Sequence, residues 1–484
     1  MRIRLLLALI FVLGAGPRLY LAFYDNGIYW PDELAKSVEQ AHRLVFGYGN
    51  VPWEFVQGAV NWTFPALLAG VLRLVTWVGL ESPSQYLSAL RLCIAALSFA
   101  AAYGAYRLAR AYGEDSEIAL FAPVLFLWSP PTIYFSTRAL SEVVSAAPVA
   151  YGLLYCLCPL ARGGDPARSR TRNVAVGALL IGFSVLLRLH NALFAVGAIA
   201  VLMARRQWKD TAVAAVCLAA CAGLLGAIDA LTWHRWFNSA IVYLNFSLVQ
   251  NRAIEWGVGP WWFYLDFFYR TMGALSIVVA ALILLGVPRA PSLAGIAGLV
   301  FVAHSATGHK EARLIYPLIP VLCALAAVGA GALRSRLMTF SLKAGVRLAV
   351  WNVFVALVLA SALYRLAGFH DLSWADVKQD GAGSAYDRGG DENRLLLAAS
   401  SLPDLCGIRE ENHIWSFTGG YAYLHRRVPF YDQGGPPPES TFYNYTISRD
   451  ASGGQVVARQ GDVVLKKIRG DCLRDPGYRP RYER

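Results

Sequence analysis

The feature that most constrains this chain is the recurrence of apolar runs close to the length of a membrane span, from the first residues to about position 366. A helix needs about 20 such residues to cross a hydrocarbon core roughly 30 Å thick, where the backbone has only itself to hydrogen-bond. About eleven stretches approach that length: 5–23, 86–108, 118–136, 139–160, 173–188, 189–204, 211–233, 271–287, 293–307, 314–333 and 346–366. With 56% hydrophobic and only 16% charged residues, an ordinary cytosolic enzyme is excluded. The 13% aromatic content, without a short repeat, excludes disordered and low-complexity classes. The first run follows Arg2 and Arg4, lacks a small-residue cleavage site and ends at Arg18 and aromatics, so it reads as a retained helix.

Charge then orients the bundle. The net charge is +12, from 44 Lys and Arg against 32 Asp and Glu. Setting the N-terminus in the cytoplasm places Arg2, Arg4, Arg107, Arg110, Arg162, Arg168, Arg170, Arg172, Arg205, Arg206, Lys209, Arg289, Arg334, Arg336, Lys343 and Arg347 at cytoplasmic ends. This is the asymmetry of the positive-inside rule, so the excess is no argument for a nucleic-acid partner. The run 63–78 contains Pro65 and Arg73 and follows a Trp-rich loop. It is read as a helix lying in the interface, because a crossing there would invert every later loop. Segments 24–85, 234–270, 308–313 and the tail face outward in this scheme, and function is expected there.

The expected fold is an all-α polytopic membrane domain over 1–366, with its first outward loop at 24–85, and a small extracytoplasmic α+β domain over 367–484. Strand-like pieces at 455–457 and 462–467 and a hairpin-like piece at 419–423 belong to the second. Of eight cysteines, Cys406 and Cys472 are the two in this outward tail, where an oxidising compartment permits a disulfide; two buried free thiols are the other reading. The absence of a long N-terminal extension and of eukaryotic retention signals leans toward a bacterial inner membrane, with the endoplasmic reticulum membrane as the eukaryotic equivalent.

Two clusters carry chemistry. Tyr29-Trp30-Pro31-Asp32-Glu33 places adjacent acids just beyond the first span, and Trp53-Glu54-Phe55 follows in the same loop. A carboxylate there can take a proton from an attacking hydroxyl. The turn Gly308-His309-Lys310-Glu311-Ala312-Arg313 packs ionisable groups between two apolar runs and is followed by Leu314-Ile315-Tyr316-Pro317-Leu318-Ile319-Pro320. Arginine can hold a phosphate with two hydrogen bonds and lysine as a point charge; a charged turn that stops two helices is the plainer reading.

The pattern His-Lys-Glu-x-Arg, with hydrophobics and Pro-x-x-Pro after it, resembles the signature of the α-mannosyltransferases that use dolichyl-phosphate-mannose, the GPI-anchor and lipid-linked-oligosaccharide type. Pro31-Asp32-Glu33 resembles that family's His-Pro-Asp-Glu, with Trp30 in place of His. Thr137-Arg138-Ala139-Leu140-Ser141-Glu142 resembles its Thr-Arg-x-Leu-Ser segment. Asp229, then Asn245-Phe246 and the stretch from Gly257 to Trp262, resemble its long lumenal segment. Leu314 stands where that family usually has Phe.

The resemblance implies a GT-C fold and an integral membrane glycosyltransferase that moves a sugar, mannose first, from a polyprenyl-phosphate donor to a glycolipid or glycan acceptor, with inversion. Asp32 would be the base and Glu33 would position the acceptor. His309, Lys310 and Arg313 would hold the lipid phosphate, and Glu311 would fix a neighbouring cation. Arg138 is a second candidate clamp or a snorkelling residue. Glu142, Arg188, His190 and Asp229 complete the candidate substrate-binding set, Arg188 and His190 from an outer turn. A one-phosphate donor needs no metal, and there is no DxD motif; a divalent metal is possible but not implied. A lipid-linked sugar flippase or transporter is the alternative, although no internal repeat points to one.

Overall fold

The computed structural model describes residues 2–158, 166–371, 386–436 and 440–479. Arg162 and part of the 367–484 segment lie outside the described residues. Ten of the expected runs correspond to largely continuous helices, among them Arg2–Tyr24, Pro83–Ala111, Ser141–Leu157, Trp208–Trp233, Pro291–Ala306 and Ala344–Ala367. Among the described residues, six helices are long and apolar enough to cross a membrane by length and composition. The run at 118–136 is a correction to one continuous span. It forms Ser116–Ala119, Phe121–Leu127 and Pro130–Phe135 in succession; the break after Leu127 falls where Pro130 and Pro131 lack the amide a continuing helix would require. Pro130 instead sits where a new helix tolerates it, at the first position.

The 63–78 run forms a helix, Thr63–Trp77, packed on the first loop's helix Glu39–Phe46. At the centre of the bundle, Ile319–Thr339 is buried along most of its length. Small residues make that possible. A Cβ on Gly329 would fall 1.7 Å from the Leu282 carbonyl oxygen, so the backbone of Ala274–Gly286 lies directly against it. The charged turn at 308–313 therefore projects from a tightly held element.

The C-terminal segment forms a five-stranded mixed sheet of β1 (Ile408–Glu410), β2 (Phe430–Tyr431), β3 (Tyr445–Ser448), β4 (Gln455–Gln460) and β5 (Val463–Lys467). The order is β2-β1-β3-β5-β4, parallel at β1 with both neighbours and antiparallel elsewhere. Ile408, Ile447, Val464 and Leu465 are fully buried, whereas the edge strand β4 is mostly exposed. Cys406 and Cys472 are bonded, with Cα atoms 5.9 Å apart.

The hairpin-like piece at 419–423 is instead a short helix, Gly420–Leu424. The reason lies in the first loop. The Glu39 carboxylate accepts hydrogen bonds from the Tyr421 and Ala422 amides at 3.3 and 2.9 Å, satisfying donors that a helix start leaves open. His42 and His425 meet at 3.0 Å, Arg91 reaches the Tyr423 hydroxyl at 2.6 Å, and Ile28 N donates to Arg388 O at 2.8 Å. The first loop and the helix Pro83–Ala111 are thus joined to the tail by polar contacts.

Candidate active site

Past Tyr24 the chain turns and enters a helical turn at Pro31–Glu33, which continues through Leu34–Val38 into Glu39–Phe46. Pro31 occupies the first helical position, and the acids follow in the first turn, where the helix dipole favours them. Neighbours on a helix point to different sides, so Asp32 and Glu33 enter different environments.

Asp32 Oδ2 lies 2.7 Å from Arg313 Nη2 and 2.9 Å from Lys36 Nζ, one turn further along the helix. Lys36 Nζ also reaches Glu54 Oε1 at 2.6 Å. Arg313 continues the network to Glu311 and, at 3.7 Å, to Glu142, which pairs with Arg188 at 3.3 Å. His309 Nε2 is 3.0 Å from Glu311 Oε1 while its Nδ1 is 3.0 Å from the Gly257 carbonyl. Both ring nitrogens therefore face acceptors, which suits the imidazolium. The Asp32, Lys36 and Arg188 side chains keep 17%, 21% and 18% of their surface exposed, against 1% for Glu142, so a ligand would meet the first three.

Glu33 faces away from this centre. Its Oε1 is 3.3 Å from Arg138, which also binds Asp25 and the Gly27 carbonyl and stacks 4.3 Å over the Tyr134 ring. These groups are buried and tie the loop to the bundle. Lys310 also turns aside: Nζ donates to the carbonyls of Gly259, at 2.9 Å, and Thr307. Asp229 accepts from Asn61 Nδ2, Ser239 N and Ser239 Oγ at 2.8, 2.8 and 2.7 Å, fastening three segments. His190 packs edge-on against His304, ring centroids 5.1 Å apart. Of the candidate residues, the structure thus gathers Asp32, Glu142, Arg188, His309, Glu311 and Arg313, and leaves Glu33, Arg138, His190, Lys310 and Asp229 with other partners.

Burial alone would raise the Asp32 carboxyl, but Arg313, Lys36 and Arg188 outweigh it and hold the group well below the usual carboxylate range. Glu311 behaves alike and is drawn down to about 2, burial being outweighed by Arg313 and the bond from His309. His309 is raised, because the bond and charge of Glu311 overcome its burial. Lys36 is held above its ordinary value; burial opposes this, and Asp32 and Glu54 prevail. Glu33 goes the other way: burial, only partly opposed by Arg138, pushes it up to about 7.

Four acids, Asp32, Glu54, Glu142 and Glu311, thus face Lys36, Arg188, Arg313 and His309. Asp32 Oδ2, Glu142 Oε1 and Arg188 Nε are buried atoms whose ion pairs lack an aligned hydrogen bond, so their hydrogen-bonding capacity is not used up within the protein. An anion entering at Arg188 and Arg313 would take over contacts now made by carboxylates. Among the described residues, no group of three or more His, Cys, Asp or Glu is gathered for a metal.

Lys36 did not figure in the sequence reading, and Glu54 figured only as part of its loop. The spacing of Lys36, four after Asp32 on a helix, was an available signal; the role of Glu54 depends on how the loop folds back.

Residues 9–373 match the model of the Alg9-like mannosyltransferase family. The chain is 30% identical to GPI mannosyltransferase 3 of Yarrowia lipolytica, over 65% of this chain and 60% of that one. It is 26% identical to GPI alpha-1,2-mannosyltransferase 3 of Mus musculus, over 70% of this chain and 62% of that one. The match spans less than two thirds of the length of either curated relative. In fold it is similar to ArnT from Cupriavidus metallidurans, solved bound to undecaprenyl phosphate, with a TM-score of 0.62, 13% identity and coverage of 95% of this chain and 97% of that one.

Proposed function

The chain belongs to the Alg9-like mannosyltransferase family and has the GT-C fold, and from this premise we propose that it transfers a mannosyl unit from a polyprenyl-phosphate carrier to a hydroxyl of a glycolipid or glycan. The transfer takes place at the extracytoplasmic face of the membrane, where loop 24–85, the 308–313 turn and the C-terminal segment converge. The observation that carries this reading is the ion pair of Asp32 with Arg313 at 2.7 Å, which sets a base beside a cation suited to phosphate.

In the reaction, the acceptor oxygen forms a bond to the anomeric carbon as the bond from that carbon to the phosphate oxygen breaks. The electron pair leaves with the polyprenyl phosphate, the hydroxyl proton passes to Asp32, and the anomeric configuration inverts. Arg313 and Arg188 would hold the departing phosphate, where charge develops. Their engagement by the donor would loosen the hold on Asp32 and raise its basicity, so that donor binding readies the base. His309 and Glu311 position Arg313. The flippase alternative has no supporting observation.

The test is transfer by the full chain, purified into proteoliposomes, from radiolabelled polyprenyl-phosphate mannose to extracted glycolipids. Labelled glycolipid is expected; its absence across extracts would reject the reading.

A further inference from the structure

Three aromatic rings from separate segments pack together beside the charged centre, Trp53 stacked on Trp256 and both tilted against Phe246. Trp53 opens the helix Trp53–Gln57, Phe246 lies in the turn Asn245–Val249, and Trp256 ends the turn Arg252–Trp256. Ring centroids are 4.8 Å apart for Trp53 and Phe246, 5.3 Å for Phe246 and Trp256 and 5.9 Å for Trp53 and Trp256, with planes within 33° of each other. Phe246 is buried beneath the pair, while Trp256 keeps 56% of its surface exposed.

Both ends of this plate lead to Asp32. On one side Trp53 is followed by Glu54, which binds Lys36, which binds Asp32. On the other, Trp256 lies 6.4 Å from the His309 ring, whose partner Glu311 binds Arg313 and through it Asp32. The Gly257 carbonyl, next to Trp256, accepts from His309 Nδ1 and fixes this end. Charged groups adjoin it: Arg252 lies 5.1 Å over the Phe246 ring and pairs with Glu255 at 2.9 Å.

We propose that this plate is the subsite on which the acceptor's terminal hexopyranose stacks, a reading that rests on the transfer reaction above. A pyranose has an apolar C–H face and a rim of hydroxyls, which match an aromatic surface with charged groups around it. A lipid chain would want an apolar rim, and the donor's phosphate is accounted for by Arg313 and Arg188. The acceptor hydroxyl must reach Asp32, and Trp53 stands next to Glu54, whose partner Lys36 binds Asp32. Trp261 and Trp262, 65% and 50% exposed, lie outside the stack and suit a membrane-interface belt instead.

The experiment uses the full chain in nanodiscs, polyprenyl-phosphate mannose as donor and octyl α-D-mannopyranoside as the acceptor probe. Trp256→Ala should raise the acceptor KM about tenfold and leave donor KM and kcat within about twofold, Trp256→Phe should recover most of the loss, and Trp261→Ala should change nothing. An unchanged acceptor KM, a rise in donor KM instead, or an equal effect of Trp261→Ala would overturn the proposal. If the wild type transfers no mannose, the transfer reading fails on its own, and saturation-transfer NMR of the octyl mannoside decides the subsite: a signal weakened in Trp256→Ala sustains it, equal signals reject it.

Discussion

Asp32 and Arg313 meet at 2.7 Å, although one follows the first helix and the other opens the segment that leads into Ile319–Thr339. The pair brings the loop that would receive the acceptor onto the most deeply held helix of the bundle.

Asp32→Asn keeps the size of the side chain and removes the base. Transfer from radiolabelled polyprenyl-phosphate mannose should fall about 10²- to 10⁴-fold, with folding and membrane insertion retained. Turnover equal to wild type would eliminate Asp32 as the base.

Arg313 is shared by Asp32, Glu311 and Glu142. Arg313→Met takes one cation from three acids, which keep only Lys36, His309 and Arg188 as partners, and a loss of up to about 3–5 kcal/mol of stability is expected from breaking a buried pair. Adding Asp32→Asn should return part of it. Thermal melts of the single and double variants in detergent measure the coupling, and strictly additive losses would show that the two residues do not interact.

Glu33 and Glu39 are each pushed up to about 7 by burial, against Arg138 in the first case and three backbone amides in the second. Their folded forms bind protons more tightly than the unfolded chain does, so this contribution is complete below the ordinary carboxylate value of about 4.5 and is lost as pH rises through about 7. Melting temperature should therefore decline over that interval, and Glu39→Gln should flatten the decline. An identical slope in the variant would exclude Glu39 as a source.

Mass spectrometry of unreduced protein should find Cys406 and Cys472 in one linked peptide pair. Replacing either with Ser should cost the C-terminal segment about 2–5 kcal/mol, read by its protease resistance. Two free thiols would refute the bridge.

A reporter fused after residue 370 should be active outside the cytoplasm, since the outward placement of every proposed site residue follows from the same charge asymmetry. Activity of a cytoplasmic reporter at that position would reverse the orientation.

The apolar runs were legible because a membrane span is a local demand: about twenty consecutive residues must suit hydrocarbon whatever they later touch. The acids at 32 and 33 and the turn at 309–313 were legible as short motifs. The division of labour inside those motifs was not. Glu33 is one residue from Asp32, yet the helical turn sends it to Arg138, which also holds Asp25, and Lys310 sits between two network residues while its amine binds carbonyls.

The break before Pro130 was signalled by the two prolines, which the apolar average concealed. The helix at Gly420–Leu424 carried no such local signal, because Glu39, far away in sequence, satisfies its amides. The sequence by itself determined a helical membrane bundle, its charge asymmetry and the motifs that carry the candidate chemistry, since hydropathy and charge act on each segment in place. Only the tertiary structure decided which groups share one centre, because an ion pair is set by distances of a few ångströms between segments that the chain order leaves unrelated.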